Sequence, residues 1–156
     1  MNRTHIFFQT IVFVVLLNSF LFIGSSSLDK CKPSTNCKVP ISPPLLMDMD
    51  ITYIMDSSRS ISSEDFQRAK DFVSNMIDQF VIAEQPSESL GGTRVALVQQ
   101  APRGFLPDRN KIPVALEFDL ETYNNKDLMK KHIQESVHQL EGPSAIASAL
   151  QWTVEN

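Results

Sequence analysis

Cysteine and glycine are both scarce in this chain of 156 residues, which has two of the first and five of the second. Cys31 and Cys37 bring too few ligands for a zinc site. The five glycines follow no three-residue period, so no Gly-X-Y triple helix forms within the chain. Positive charge is thin as well: 14 Lys and Arg are set against 18 Asp and Glu, and they are scattered rather than gathered in a basic stripe, which leaves nothing to favour nucleic acid. Gly-rich phosphate loops, a Ser-His-Asp order and paired-Cys spacing are all missing, so no motif supports an enzyme. His132 and His138 lie six residues apart on an expected helix and do not share a face as an i, i+4 metal pair does; they read as surface or boundary residues.

What remains is the composition of one ordinary globular domain, 42% hydrophobic and 21% charged. It is preceded by a leader. Arg3 gives a basic start, and the apolar run Ile11 to Leu17 is flanked by Ile6-Phe7-Phe8 and by Phe20 to Gly24. Ser25-Ser26-Ser27 supplies small residues for cleavage, so residues 1–27 read as a secretory signal. The competing reading is an uncleaved anchor, since Ile6 to Gly24 nearly reaches the roughly 20 residues that span a bilayer. Gln9, Thr10, Asn18 and Ser19 interrupt that run and favour cleavage, after which no stable membrane insertion remains. Secretion would place Cys31 and Cys37 in an oxidising compartment. There they can close a small disulfide loop, valued at roughly 2 kcal/mol, or pair with another chain. Residues 28–47, with both cysteines and Pro33, Pro40, Pro43 and Pro44, read as a linker.

Ordered structure is expected from about Met49. The apolar run Ile51 to Met55 predicts a buried strand. Ser62-Ser63-Glu64-Asp65 then starts a helix whose buried stripe, Phe66, Ala69, Phe72, Val73, Met76, Ile77, Phe80 and Val81, lasts until Glu84-Gln85-Pro86. Gly91-Gly92 turns the chain into a second strand, Thr93 to Gln99, covered on both faces. After a loop over 101–113, the alternation of Val114, Leu116, Phe118 and Leu120 predicts an edge strand with one exposed face. Asn125 caps a helix that buries Met129, Ile133, Val137 and Leu140 and stops at Gly142-Pro143. A last helix runs from Ser144 through Trp152.

Directly after the first strand stands Asp56-Ser57-Ser58-Arg59-Ser60. If the two-residue period continues past Met55, the oxygens of Asp56, Ser58 and Ser60 project to one side of the turn. That turn lies outside the carboxyl end of a strand, where open α/β sheets bind ligands. One carboxylate with neutral hydroxyls suits a hard cation that keeps several waters, Mg²⁺ above all. The same residues would also serve a strand-to-helix turn in which Ser and Asp cap backbone amides.

In this order of elements, with Asp50 to Ser60, Thr93 to Gln99 and Gly142 to Leu150 as its most specific parts, residues 48–156 resemble a von Willebrand factor A-type domain. They look most like those of collagen VI alpha chains. The resemblance implies a partial doubly wound, Rossmann-like α/β sheet with helices on both faces. It also implies a metal-ion-dependent adhesion site for Mg²⁺, or Ca²⁺ or Mn²⁺, with Asp56, Ser58 and Ser60 as its first contributors. The family's later Thr falls on Ser144, whose alternative role is a plain helix cap after Pro143. A final Asp has no counterpart, and the family's sheet continues past this point, so the first strand is expected to lack a neighbour on one side. The implied function is secreted, extracellular-matrix adhesion to matrix proteins, collagens among them, through an acidic residue of the partner. The alternatives are a metal-independent structural or interaction module and a non-functional truncated product.

Overall fold

The computed structural model describes residues 10–15, 44, 46–88, 91–105 and 111–156; Cys31 and Cys37, and most of the leader and linker, lie outside the described residues. The elements in chain order are β1 (Thr10–Val15), β2 (Met49–Asp56), α1 (Ser63–Ile77), β3 (Thr93–Gln100), β4 (Val114–Phe118), α2 (Lys126–Glu135) and α3 (Ile146–Glu155). Among the described residues four strands form one sheet in the order β1-β2-β3-β4. β1, β2 and β3 run parallel and β4 returns antiparallel at the edge.

Period-two geometry divides β2 and β3 between two cores. Ile51, Tyr53, Met55, Val95 and Leu97 face Phe66, Ala69, Val73 and Ile77 of α1 and Met129 and Ile133 of α2. On the opposite face Ile54, Val98 and Val114 pack on Ala149, with Ile146 and Trp152 of α3 alongside. Helices therefore cover both faces, as the α/β reading expected. Each of the wholly buried Ile and Leu side chains contributes about 2 kcal/mol from the apolar area it removes from water.

Three local expectations are corrected. α1 ends at Ile77, not near Glu84. Gln79 N–H and Phe80 N–H bond back to Met76 O and Ile77 O in tight turns, and Val81 and Ala83 then pair with Thr93 at 2.7 and 3.1 Å. That extended pairing competes with the helix for the same backbone groups, and Gly92 lets it close. A Cβ on Gly92 would lie 2.8 Å from Ala83 N and Val81 O. α2 likewise stops at Glu135, so Val137 is buried from a following loop, Leu140 is only half-buried, and His138 is not helical. In β4 a bulge opposite Leu97 and Val98 breaks the simple alternation. Leu116 is exposed, while Phe118 turns to the α1/α2 core and Val114 to the α3 core.

In the full chain the edge of β2 that was expected to be open carries a strand. Thr10–Val15, part of the run read as a leader, pairs along it from Thr10 opposite Asp50 to Val15 opposite Met55. Among the described residues no helix is long and apolar enough to cross a membrane.

Candidate metal centre

Pairing of β2 with β3 sets Asp56 opposite Gln100, so both parallel strands end at the same level. The half-buried Asp56 carboxylate turns back on its own loop, where its Oδ1 accepts the backbone N–H of Ser58 at 2.9 Å. Ser58 is buried and Ser60 exposed, and their hydroxyl oxygens lie 2.6 Å apart. Adjacent corners of a magnesium octahedron with bonds of about 2.0–2.1 Å are separated by about 2.9 Å. The two hydroxyls are hydrogen-bonded to each other, and the pair would open by about 0.3 Å to share a cation.

A second loop, 137–145, is stitched to the first. Leu140 N–H donates to Ser57 Oγ at 2.6 Å, and Glu141 N–H to Ser57 O at 2.8 Å. Arg59 N–H donates to Gly142 O at 3.1 Å, and the Gln139 side chain donates to Ser58 O and Ile61 O at 2.9 and 3.1 Å. Gly142 N–H in turn donates to Ala101 O at 3.0 Å. So close is this approach that a Cβ on Gly142 would collide with the backbone oxygens of Ala101 and Pro102. The buried Lys70 of α1 fixes the start of the loop by donating to Gln134 O and Val137 O at 2.9 and 3.0 Å. Burial pushes its ammonium below the ordinary lysine range, with the nearby Asp71 charge opposing the shift.

Ser144 sits at the exposed end of this loop. The first turn of α3 has Ala145 as its N-cap and no side-chain cap bond, so Ser144 does not take the capping role. Gln100 joins the two halves. Its Nε2 donates to Asp56 Oδ1 and reaches Ser144 Oγ at 3.4 Å, while its Oε1 accepts Ala145 N–H at 2.8 Å. Among the described residues no group of three or more His, Cys, Asp or Glu side chains could hold a metal. A cation here would rest on hydroxyls and one carboxylate, a donor set that suits Mg²⁺ better than a softer metal.

The structure gathers Asp56, Ser58, Ser60 and Ser144 around the carboxyl ends of β2 and β3, through partners the sequence reading missed: Gln100, Ser57, Gln139 and Gly142. Two polar residues directly after the apolar run Val95 to Val98, Gln99-Gln100, were the available signal. Beside the cluster, Arg59, Phe105, Pro143 and Ser144 help line a shallow pocket of 520 Å³.

A doubly wound sheet with a carboxylate–hydroxyl cluster at its strand ends defines the class of protein, and sequence comparison gives the family. The family model for the von Willebrand factor type A domain matches residues 50–156. The chain belongs to the von Willebrand factor type A domain family. It is 44% identical to the human collagen alpha-6(VI) chain over 128 residues, 82% of this chain and 6% of that protein. Chicken matrilin-3 is 35% identical over 85 residues, 54% of this chain and 15% of that one. This chain therefore spans a small fraction of the length of the curated relatives it matches. A structure of proximal thread matrix protein 1 from the mussel byssus, with a zinc-occupied MIDAS motif, superposes with a TM-score of 0.53 at 25% identity. The match covers 70% of this chain and 25% of that one.

Proposed function

We propose that the chain is a secreted extracellular-matrix binding module in which a divalent cation engages an acidic residue of a partner protein. Asp56, Ser58, Ser60 and Ser144 hold the cation; Mg²⁺ fits the donors best, and Ca²⁺ or Mn²⁺ can substitute. The observation that carries this reading is the convergence of the Asp56 loop and the Ser144 loop through Gln100 at the carboxyl ends of β2 and β3. The exposed Ser60 and Ser144 leave the cluster accessible, and an open coordination position on the metal would accept the partner's carboxylate. Arg59, on the rim of the adjoining pocket, adds positive charge that favours an acidic partner. Similarity to collagen VI chains and matrilin-3 supports a matrix setting, with matrix proteins, collagens among them, as partners.

In the test, the full chain is passed over immobilised matrix proteins in Mg²⁺ and then in EDTA. Binding that is lost on chelation and in the Asp56→Ala variant supports the reading, and binding indifferent to both refutes it. Residues 1–27 act as the leader in this proposal, with 28–47 as a linker in which Cys31 and Cys37 are disulfide candidates. Mass spectrometry of the secreted chain checks the leader, since the mature product should begin near residue 28. Such cleavage also removes β1 from the edge of β2.

One observation favours a metal-independent interaction surface as the second reading. On the α3 side of the sheet, Thr52, Ala96, Val98, Leu116, Trp152 and Val154 help line a 540 Å³ hollow, and Leu116 and Val154 are 54% and 69% exposed. EDTA-resistant binding that disappears in Leu116→Asp would select this reading.

A further inference from the structure

We infer that Gln100 is a built-in competitor for the cation, its carboxamide N–H group standing where the metal's positive charge is needed. This inference rests on the metal-site reading and concerns how that site is regulated.

Gln100 is fully buried at the end of β3, and its amide is not free to turn. Oε1 accepts the Ala145 N–H at 2.8 Å, which aims Nε2 at Asp56 and Ser144. Nε2 then donates to Asp56 Oδ1, the same oxygen that takes the Ser58 N–H at 2.9 Å, so two donors occupy that oxygen. At 3.4 Å the same nitrogen also reaches Ser144 Oγ. One neutral donor group thus bridges the only carboxylate of the proposed ligand set and the hydroxyl contributed by the other loop. A cation that uses Asp56 Oδ1 and Ser144 Oγ needs the same lone pairs. The Ser58 N–H is fixed by the turn, so Gln100 is the partner that must yield.

Without metal, Gln100 satisfies Asp56 and holds the two loops together. With metal, the hydrogen bonds it surrenders are charged against cation affinity. A hydrogen bond to a charged group contributes roughly 1.5 to 3 kcal/mol, so at about 1.4 kcal/mol per tenfold removing the competitor should tighten Mg²⁺ binding roughly 10- to 150-fold. Gln100 would therefore bias the domain toward cation-rich compartments and let metal occupancy respond to concentration there.

The experiment compares the full wild-type chain with Gln100→Met, which keeps the packing volume and removes both amide atoms, by melting in EDTA and across a Mg²⁺ titration. The expected result is a lower melting temperature for Gln100→Met in EDTA, a larger rise on saturation, and a midpoint at least tenfold lower in Mg²⁺. A wild-type response that is unchanged or weakened in Gln100→Met overturns the competitor role alone. No Mg²⁺ response in either chain overturns the metal-site reading and the competitor with it. Gln100→Glu covers the case in which Gln100→Met does not fold. It retains an acceptor for Ala145 and sets a second carboxylate beside Asp56, so its melting temperature should fall in EDTA and recover to wild type or above in Mg²⁺. Equal loss with and without Mg²⁺ would show a purely structural role.

Discussion

Replacing Gly142 with alanine should injure the fold and the candidate site together, through a single methyl group. In the native loop the Gly142 peptide donates to Ala101 O and accepts from Arg59 N–H at 3.0 and 3.1 Å, joining the end of β3, the Asp56 loop and the Ser144 loop. A Cβ there would overlap the Ala101 and Pro102 oxygens, which are backbone atoms and cannot rotate aside. Relief requires the loop to lift. Two backbone hydrogen bonds at roughly 0.5 to 1.5 kcal/mol each, with overpacking strain of roughly 1 to 3 kcal/mol, put the loss at about 2 to 6 kcal/mol. In a chain of this size that lowers the melting temperature by about 4 to 24 °C. Urea unfolding measures the loss, and amide hydrogen exchange locates it, with Arg59 and Gly142 losing protection before the buried strands. Because Ser144 follows two residues later, Mg²⁺ affinity should fall in step. A Gly142→Ala chain with wild-type stability and unchanged exchange at Arg59 would refute the reasoning.

Asp50 and Arg94 form a bidentate pair across β2 and β3 at 2.6 and 2.7 Å, with side chains only 11% and 12% exposed. Asp50→Asn leaves a largely buried guanidinium without its counter-charge. It should cost about 3 kcal/mol by denaturant unfolding, most of it recovered when Arg94→Met is added. Tyr53 is wholly buried, and burial pushes its phenol from 10.0 up to about 12. Because the folded value lies above the unfolded one, the associated stability is fully present below pH 10 and is lost as pH rises toward 12. That loss, roughly 2 to 3 kcal/mol, should vanish from the alkaline limb of a stability–pH profile in Tyr53→Phe, and an identical limb would contradict the assignment. Arg59→Glu should slow association with an acidic partner while leaving the melting temperature within about 1 °C, because Arg59 is exposed and its reversal acts mainly on encounter.

Much of this fold was legible because it is written locally. The apolar run into Asp56 marks β2 and its loop, Ser62 and Asn125 mark the starts of α1 and α2, and Gly91-Gly92 marks the entry to β3. The Asp56, Ser58 and Ser60 oxygens were legible for the same reason: their spacing is a property of one short turn. What escaped depends on which strand lies beside which, and at what register. Asp56 meets Gln100, and Asp50 meets Arg94, only because β2 and β3 align residue for residue over eight positions. The early ends of α1 and α2 have the same origin. Phe80, Val81 and Val137 keep the helical spacing of apolar residues, but Thr93 and Lys70, distant in sequence, take the backbone groups that a longer helix would use. Pairing of Thr10–Val15 with β2 was hidden because an apolar run reads equally well as a leader or as a buried strand.

Whether the Asp56–Ser144 cluster holds the proposed divalent cation can be read from the free ion in solution. Electron paramagnetic resonance of free Mn²⁺ during titration of the full chain tests it most directly. The expected result is saturable loss of the free-ion signal with about one ion per chain, reversed by excess Mg²⁺ and abolished in a folded Asp56→Ala variant. Equal Mn²⁺ uptake by wild type and Asp56→Ala, or none by the folded wild type, would contradict it.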